Sequence, residues 1–497
     1  MFVLTAQPVL NKRIKPISVL SDSPEYDVLI VGAGVAGASL AWYLGKQGIN
    51  VAVIERDFSE PDKFIGELLQ PGGVMKLGEL GYKEVLEGFD AQFIDGYALF
   101  MNDQHFDIPY PEAEGIPLKG RGFRYGKFIS KLRDSLREIP SVTLIEGSVN
   151  ELFENKSDGS VTGVRYQSKE DNKEKIARAQ LIVICDGGFS KFRDELNNSK
   201  RQVKGFMLGL LLKNCELPYR NHGHVFLGGS SPFLSYPVSS TETRVLIDFP
   251  GEQPPKKDES VHKYLSETIH RQLPAQMRPA FINALEEDKF KAMPNMMVAS
   301  KPIRKSGTVL LGDSLNMRHP LTGGGMTVAL TDVQLLGNLL FGINNFKAKT
   351  EINKAVNEFY NRRHVANATI NILADALYDV MSYPDLKEAC YYYLKKGDGY
   401  TQGPISILSA VSRDKKLLIR KFFSVAMFGA GNLLRPFPSP KKIGRSYNLF
   451  RKAVHIISPL LMNENPSRPL KGMLEMSKWI FPGADSKKHQ QRELNKP

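Results

Sequence analysis

The chain has 497 residues, 42% of them hydrophobic and 24% charged, which provides for two or three folded domains and excludes a largely disordered protein. A formal net charge of +13 suits nucleic acid, acidic ligands or an anionic membrane surface, and charge by itself does not choose among them. No zinc-finger spacing or repeated basic–aromatic pattern appears, whereas lysines and arginines flank apolar stretches after Lys415; a membrane surface is therefore expected and nucleic acid is not.

Residues 1–24 read as a polar extension, and Met1 to Leu4 lacks the basic region and longer apolar core of a cleaved signal peptide. A strand over 26–31 leads through Gly32-Ala33-Gly34-Val35-Ala36-Gly37 into a helix over 35–47. A second strand over 51–54 then ends on Glu55, which completes one βαβ unit. In that setting Gly32 permits the tight turn, Gly34 lets a pyrophosphate approach the helix N-terminus and Gly37 lets helix and strand pack closely. Glu55, eighteen positions past Gly37, is placed to bind ribose hydroxyls. Its charge disfavours a ribose phosphate, which leaves FAD or NAD.

Apolar runs at 142–146 and 181–185 read as buried parallel strands of the same sheet, with Cys185 a buried strand thiol. Cys185, Cys215 and Cys390 show no paired spacing, which points to a reducing, cytosol-facing location. Asp186 opens the turn Asp186-Gly187-Gly188, and it either helps to seat a cofactor or simply makes an Asp-Gly turn. Shorter alternating runs at 91–126 and 203–295, such as Thr243 to Phe249, predict an antiparallel sheet in a second domain. His222 and His224 offer two metal ligands without a third nearby, so no metal site is expected.

The expected plan is thus a nucleotide-binding domain over 25–200 with an insertion near 91–126, a second domain over 201–295, and a return to the first over 296–345. A helical region over 346–497, ending in a polar tail, completes it. Within the returning segment, Val309-Leu310-Leu311 is a short strand that delivers Asp313 to a strand end, and Gly323, Gly324 and Gly325 precede a helix. A plain NAD domain has no need of a second strand-end motif so far downstream; the longer FAD does. Asp313 is read as the acceptor for a ribityl hydroxyl. The glycines would aim backbone N–H groups and a positive helix end at the flavin ring. His319, between Arg318 and Pro320, is read as fixing the loop and not as a base.

Beyond residue 325 the chain reads as helical, with breaks near Pro384, Pro404, Pro436 to Pro440 and Pro466. No apolar run reaches about 18 residues, which argues against a spanning helix. Arg420 to Phe428 combines basic flanks with an apolar face and reads as monotopic attachment to a membrane.

Together these segments resemble the squalene epoxidase (squalene monooxygenase) family from about residue 27 to the helices past Pro404. The matching pieces are GAGVAG at 32–37, Ile54-Glu55-Arg56-Asp57, Gly66 to Gly73, Asp107-Ile108-Pro109-Tyr110-Pro111, Cys185-Asp186-Gly187 and Gly312 to Met326. The resemblance implies an α/β fold: a Rossmann-like FAD-binding domain of the glutathione reductase type, an antiparallel-sheet substrate domain and C-terminal membrane-associated helices. It also implies epoxidation of squalene to 2,3-oxidosqualene with dioxygen, in sterol biosynthesis, on the cytosolic face of the endoplasmic reticulum or microsomal membrane. No second nucleotide fingerprint for NADPH appears, so electrons are expected from the family's NADPH-dependent flavoprotein reductase.

Position by position, the resemblance implies Glu55 and Arg56 at the adenosine and Val35 and Ala36 at the pyrophosphate turn. Leu68 and Val149 become further FAD contacts, and Asp313 and Met326 lie on the flavin side. Tyr97 becomes an orienting residue near the flavin, with Gln70 as its partner. Lys63 and Lys127 stand where family members usually carry arginine near the FAD; they keep the charge and lose the planar fork. The alternatives are a reductase or hydroxylase of this fold acting on another isoprenoid or aromatic, and a lipid-escort protein that has lost its flavin. Asp313 and the intact glycines speak against the second.

Overall fold

The computed structural model describes residues 25–463 apart from Ser230 and Lys257; the 1–24 extension, Pro466 and the polar tail lie outside the described residues. Strands rich in valine and isoleucine build the first sheet, in the parallel order Val142–Glu154, Val51–Glu55, Glu25–Val31, Glu174–Ile184 and Thr308–Leu310. The helices Val35–Lys46, Tyr125–Leu136 and Gly325–Phe341 pack into the same core through residues such as Leu40, Phe128 and Leu336, all fully buried. The two long strands run past the region expected from their apolar runs, because Val161–Ser168 pairs antiparallel with both of their outer halves. Gly32, Cys185 and Leu311 all follow strand ends on one edge of the parallel sheet. That carboxyl edge is where open α/β sheets bind nucleotides.

The second sheet has seven strands in the order Lys291–Met297, Gln202–Lys213, Glu242–Pro250, Phe233–Pro237, His222–Phe226, Gly96–Met101 and Gln104–Pro109. Its pairings are antiparallel with one exception: His222–Phe226 runs parallel to Gly96–Phe100, where the insertion joins the later strands. Both faces are buried, which is why Gly205 to Leu212 reads as one continuous apolar run. Val245 and Ile247 face a layer of helical turns across 259–286, and Leu246 on the opposite face meets the C-terminal helices. The helical turns depart from the expectation of sheet throughout 203–295. Their signal is present in the sequence, since Val261, Leu265, Ile269, Leu273, Met277 and Phe281 recur every fourth residue.

Helices Lys349–Met381, Pro384–Leu394, Lys415–Leu433 and Pro440–Asn463 close over this face. The helix break expected near Pro404 falls just before it, over 395–401. Pro404 itself lies in the first turn of the helix Gln402–Leu408, where a missing N–H costs no hydrogen bond. Two junctions fix the helical layer to the first domain. Arg363 and Asp332, each 1% exposed, pair across two helices, with Nη2 to Oδ2 at 2.8 Å and Asn367 adding a bond of 2.6 Å to the other carboxylate oxygen. The Gly72 N–H donates to Ser409 O at 2.9 Å, and a Cβ at Gly72 would lie 2.2 Å from Ala410 O, so only glycine fits that junction. Among the described residues no helix is long and apolar enough to cross a membrane.

Candidate active site

At the first glycine turn the chain crowds itself everywhere except where a ligand has to come. Gly32 has φ +99 and a Cβ there would lie 2.6 Å from Cys185 O, while a Cβ at Gly37 would lie 2.0 Å from Gly32 O. At Gly34 a Cβ would meet nothing within 4 Å. The helix that begins at Val35 has no side-chain cap and no acidic residue in its first turn, so its free N–H groups face this open space. Glu55 Oε2 accepts from Ala33 N at 2.7 Å, and Arg133 braces the turn through Ala33 O at 3.0 Å and Glu55 Oε2 at 3.4 Å. Arg56 is exposed beside them.

The downstream motifs arrive at the same place. A Cβ at Gly312 would lie 2.9 Å from the Ala36 methyl, so the two glycine motifs are in contact across nearly 280 residues of chain. The Asp313 side chain is exposed at this edge. Arg193 donates to Gly187 O at 3.0 Å, Gly188 O at 2.7 Å, Asp313 O at 2.8 Å and Ser314 O at 3.0 Å, locking two strand-end loops together. Asp186 Oδ2 accepts from Lys191 N at 3.1 Å, whereas its Oδ1 is buried with no hydrogen-bond partner among the described residues. Burial raises this carboxyl above its usual range. Lys191 Nζ in turn reaches Val149 O at 3.0 Å, so Val149 and Asp186 share one brace.

Lys63 and Lys127 flank Tyr125, but differently. The Lys63 ammonium stands 5.8 Å from the centre of the Tyr125 ring, whereas Lys127 is drawn to the rim by Glu60 at 3.1 Å. Burial raises the Tyr125 phenol, with Asp313 and Glu55 adding to the effect, so this tyrosine sits among the cradle's acids. Gly323, in the left-handed region at φ +62, lets the loop turn before Gly324 and Gly325 open the helix Gly325–Phe341. That helix also has no side-chain cap and no acid in its first turn, and Met326 is buried within it.

A Cβ at Gly323 would lie 3.1 Å from Gln70 Nε2 and 3.7 Å from a Leu68 methyl, which joins the cofactor edge to the next group. Gln70 is fully buried. Its Nε2 donates to Tyr97 Oη and, at 2.9 Å, to Thr322 O, and its Oε1 accepts from Tyr110 Oη at 2.9 Å. Burial raises both phenols, so both stay protonated. The short strand before Gln70 is pinned by a buried ion pair, with Arg244 Nε to Glu67 Oε2 at 2.6 Å and Nη2 to Oε1 at 3.2 Å. His319 is structural here: its ring stacks on Tyr378 at 3.9 Å, and its Nδ1 accepts from Leu321 N at 3.3 Å.

Tyr97 also lines an apolar cavity of about 170 Å³ between the second sheet and the C-terminal helices. Leu99 and Val225 line it from the sheet, Leu321 from the loop before Gly323, and Leu377, Leu418 and Ala453 from the helices. Lys421 is its one charged lining residue among those described, and the ammonium is turned onto Gly399 O at 2.8 Å. The expected site residues therefore fall into two joined groups, a cofactor edge and a cavity mouth, with Lys127 at the rim. Arg133, Arg193, Tyr110 and the Glu67–Arg244 pair escape the sequence reading. Tyr110 and Glu67 lie in segments of the family resemblance, and Arg244 in the alternating run Thr243 to Phe249.

These features fit FAD: an empty approach at Gly34, two uncapped helix starts, an orphaned acceptor on Asp186 and an exposed Asp313 at one sheet edge. Fold and site define a flavin-dependent oxidoreductase with an apolar substrate cavity. Comparison with known proteins agrees, as residues 27–122 match the FAD dependent oxidoreductase family and residues 178–445 match the squalene epoxidase family. Squalene epoxidase 1 of Arabidopsis thaliana is 44% identical over 446 residues, spanning 88% of this chain and 83% of the relative. Squalene epoxidase erg1 of Schizosaccharomyces pombe is 37% identical over 89% of this chain and 99% of its own length. Squalene monooxygenase of Mus musculus is 39% identical over 88% and 78%. The chain belongs to the squalene epoxidase family. Among solved structures, Klebsiella pneumoniae HpxO complexed with FAD and uric acid shares the fold, with TM-score 0.61 and 20% identity over 77% of this chain and 97% of that one.

Proposed function

We infer that this protein is an FAD-dependent monooxygenase that converts squalene and dioxygen into 2,3-oxidosqualene in sterol biosynthesis. The observation that carries the reading is one continuous arrangement: an apolar cavity is lined in part by Tyr97, Tyr97 is held by Gln70, and Gln70 touches the Gly323 loop at the cofactor edge. Bound FAD supplies activated oxygen from dioxygen after two-electron reduction. The protein's own residues do the rest. Gly34 and the Val35 helix start hold the pyrophosphate, Glu55 and Arg56 the adenosine, Asp313 the ribityl chain, and Gly323 to Gly325 the flavin ring.

An alkene needs no side-chain nucleophile to be epoxidised. The wall residues instead hold the chain of the substrate and keep water from the reacting end. Electrons come from a partner NADPH-dependent flavoprotein reductase, for which the +13 charge favours an acidic docking face. The protein sits on the cytosolic face of the endoplasmic reticulum membrane through its C-terminal region: Phe422, Val425 and Ala426 of the expected 420–428 face line the cavity instead, and the exposed apolar residues are Met427, Ile443 and Tyr447 on the last two helices and Phe437 in the turn between them, beside Lys441 and Arg445.

The test is a reconstitution with squalene, a reductase, NADPH and dioxygen, with a flavin spectrum taken on the same sample. A yellow protein that forms 2,3-oxidosqualene is expected. A flavin-loaded protein that oxidises another lipid and leaves squalene untouched would overturn the substrate.

A further inference from the structure

We propose that Tyr110 is a positioning residue, whose hydroxyl fixes the Gln70 carboxamide and through it aims the Tyr97 hydroxyl into the cavity. The inference rests on the epoxidase reading above and adds a residue to it. A carboxamide has one accepting and one donating end of nearly equal size, so its partners decide how it sits. Thr322 O can only accept, which places Nε2 on that side, and the same nitrogen donates to Tyr97. The remaining end, Oε1, has one donor among the hydrogen bonds of the described residues, the Tyr110 hydroxyl at 2.9 Å.

Since Tyr97 receives a hydrogen bond from Gln70, its own proton is free to point away from the amide. Its neighbours on that side are the Tyr110 hydroxyl, which also bonds Tyr97, and the cavity that Tyr97 lines. Tyr110 is itself 3% exposed and kept neutral by burial, so it remains a donor. Its ring meets that of Tyr97 edge-on, with centroids 5.6 Å apart at 82°. Phenylalanine at 110 keeps this ring contact and removes the hydroxyl alone. Gln70 Oε1 would then be a buried acceptor without a donor, and the amide relieves that cost by rotating, which releases Tyr97.

The experiment uses the full-length FAD-loaded protein as wild type, Tyr110→Phe, Gln70→Ala and the double variant. Each is measured for squalene kcat and KM, peroxide released per NADPH consumed, and thermal unfolding. Tyr110→Phe is expected to lower kcat about tenfold, the size of one lost oriented hydrogen bond, with KM nearly unchanged and a larger share of electrons lost as peroxide. In the Gln70→Ala background the same substitution should change neither kcat nor the peroxide share. Equal effects in both backgrounds, or no effect in either, would overturn the proposal. Should wild type leave squalene unreacted, the epoxidase reading fails by itself. The Tyr110–Gln70 link is then judged by unfolding, where additive destabilisation sinks it and a smaller effect of Tyr110→Phe in the Gln70→Ala background upholds it.

Discussion

Asp313 and Arg193 meet at one peptide carbonyl yet contribute through different atoms. The Asp313 carboxylate faces outward at the cofactor edge, while its backbone oxygen is one of four that Arg193 gathers. Asp313→Ala therefore removes the proposed ribityl acceptor without disturbing packing. FAD retention should weaken about tenfold or more, as for a hydrogen bond to a charged group, with the unfolding midpoint of the apoprotein nearly unchanged. Flavin absorbance after dialysis and apoprotein melting read the two effects separately. Arg193→Ala reverses the pattern, because it leaves carbonyls of two strand-end loops without a donor. A loss of about 3 kcal/mol is expected, visible as a lower melting point before any flavin is added. Normal flavin occupancy in Asp313→Ala would remove that residue from the site.

At the scale of elements, the strand–turn–helix at Val31 to Gly37 separates a packing glycine from a ligand glycine. Gly34→Ala places its methyl in open space, so the apoprotein should melt as wild type does while FAD affinity falls. Gly37→Ala drives a methyl to within 2.0 Å of Gly32 O and should unfold the turn itself, lowering stability by several kcal/mol. Apoprotein melting and FAD titration distinguish the two variants, and equal behaviour would mean that the space at Gly34 is not the pyrophosphate site. This unit was legible in the sequence because its demands are local: a turn, a close approach and an acid at the next strand end lie within a short stretch. Tyr97 and Gln70 were legible only through family likeness, since 27 residues separate them. Arg133 and Arg193 were not legible at all. Most of their partners are backbone carbonyls, up to 121 positions away, and a carbonyl leaves no mark in the residue type. The helical layer over 259–286 was missed for another reason. Its four-residue apolar repeat was present, but the alternating strands before it set the expected period.

Across the whole molecule, the C-terminal helices have two surfaces with different chemistry. The inner one closes the cavity above Tyr97 and is tied to the cofactor domain by the Arg363–Asp332 pair and the Gly72–Ser409 bond. The outer one exposes Ile443 at 54% beside Lys441 and Arg445, and Phe437, in the turn between the last two helices, is 79% exposed. A water-insoluble substrate has to reach an apolar cavity without crossing water, and a helical layer that forms the cavity wall and makes the proposed membrane contact would shorten that route. Placing aspartate at Phe437 and Ile443 should lower binding to anionic liposomes, since it removes apolar area and adds repulsion at the same place. The cavity wall is untouched by these changes. Turnover of detergent-dispersed squalene should therefore persist at the wild-type rate, while KM rises for squalene presented in vesicles. Undiminished liposome binding would place the membrane contact elsewhere. An equal loss of activity with both forms of substrate would mean instead that Phe437 and Ile443 support the fold and not the delivery of squalene.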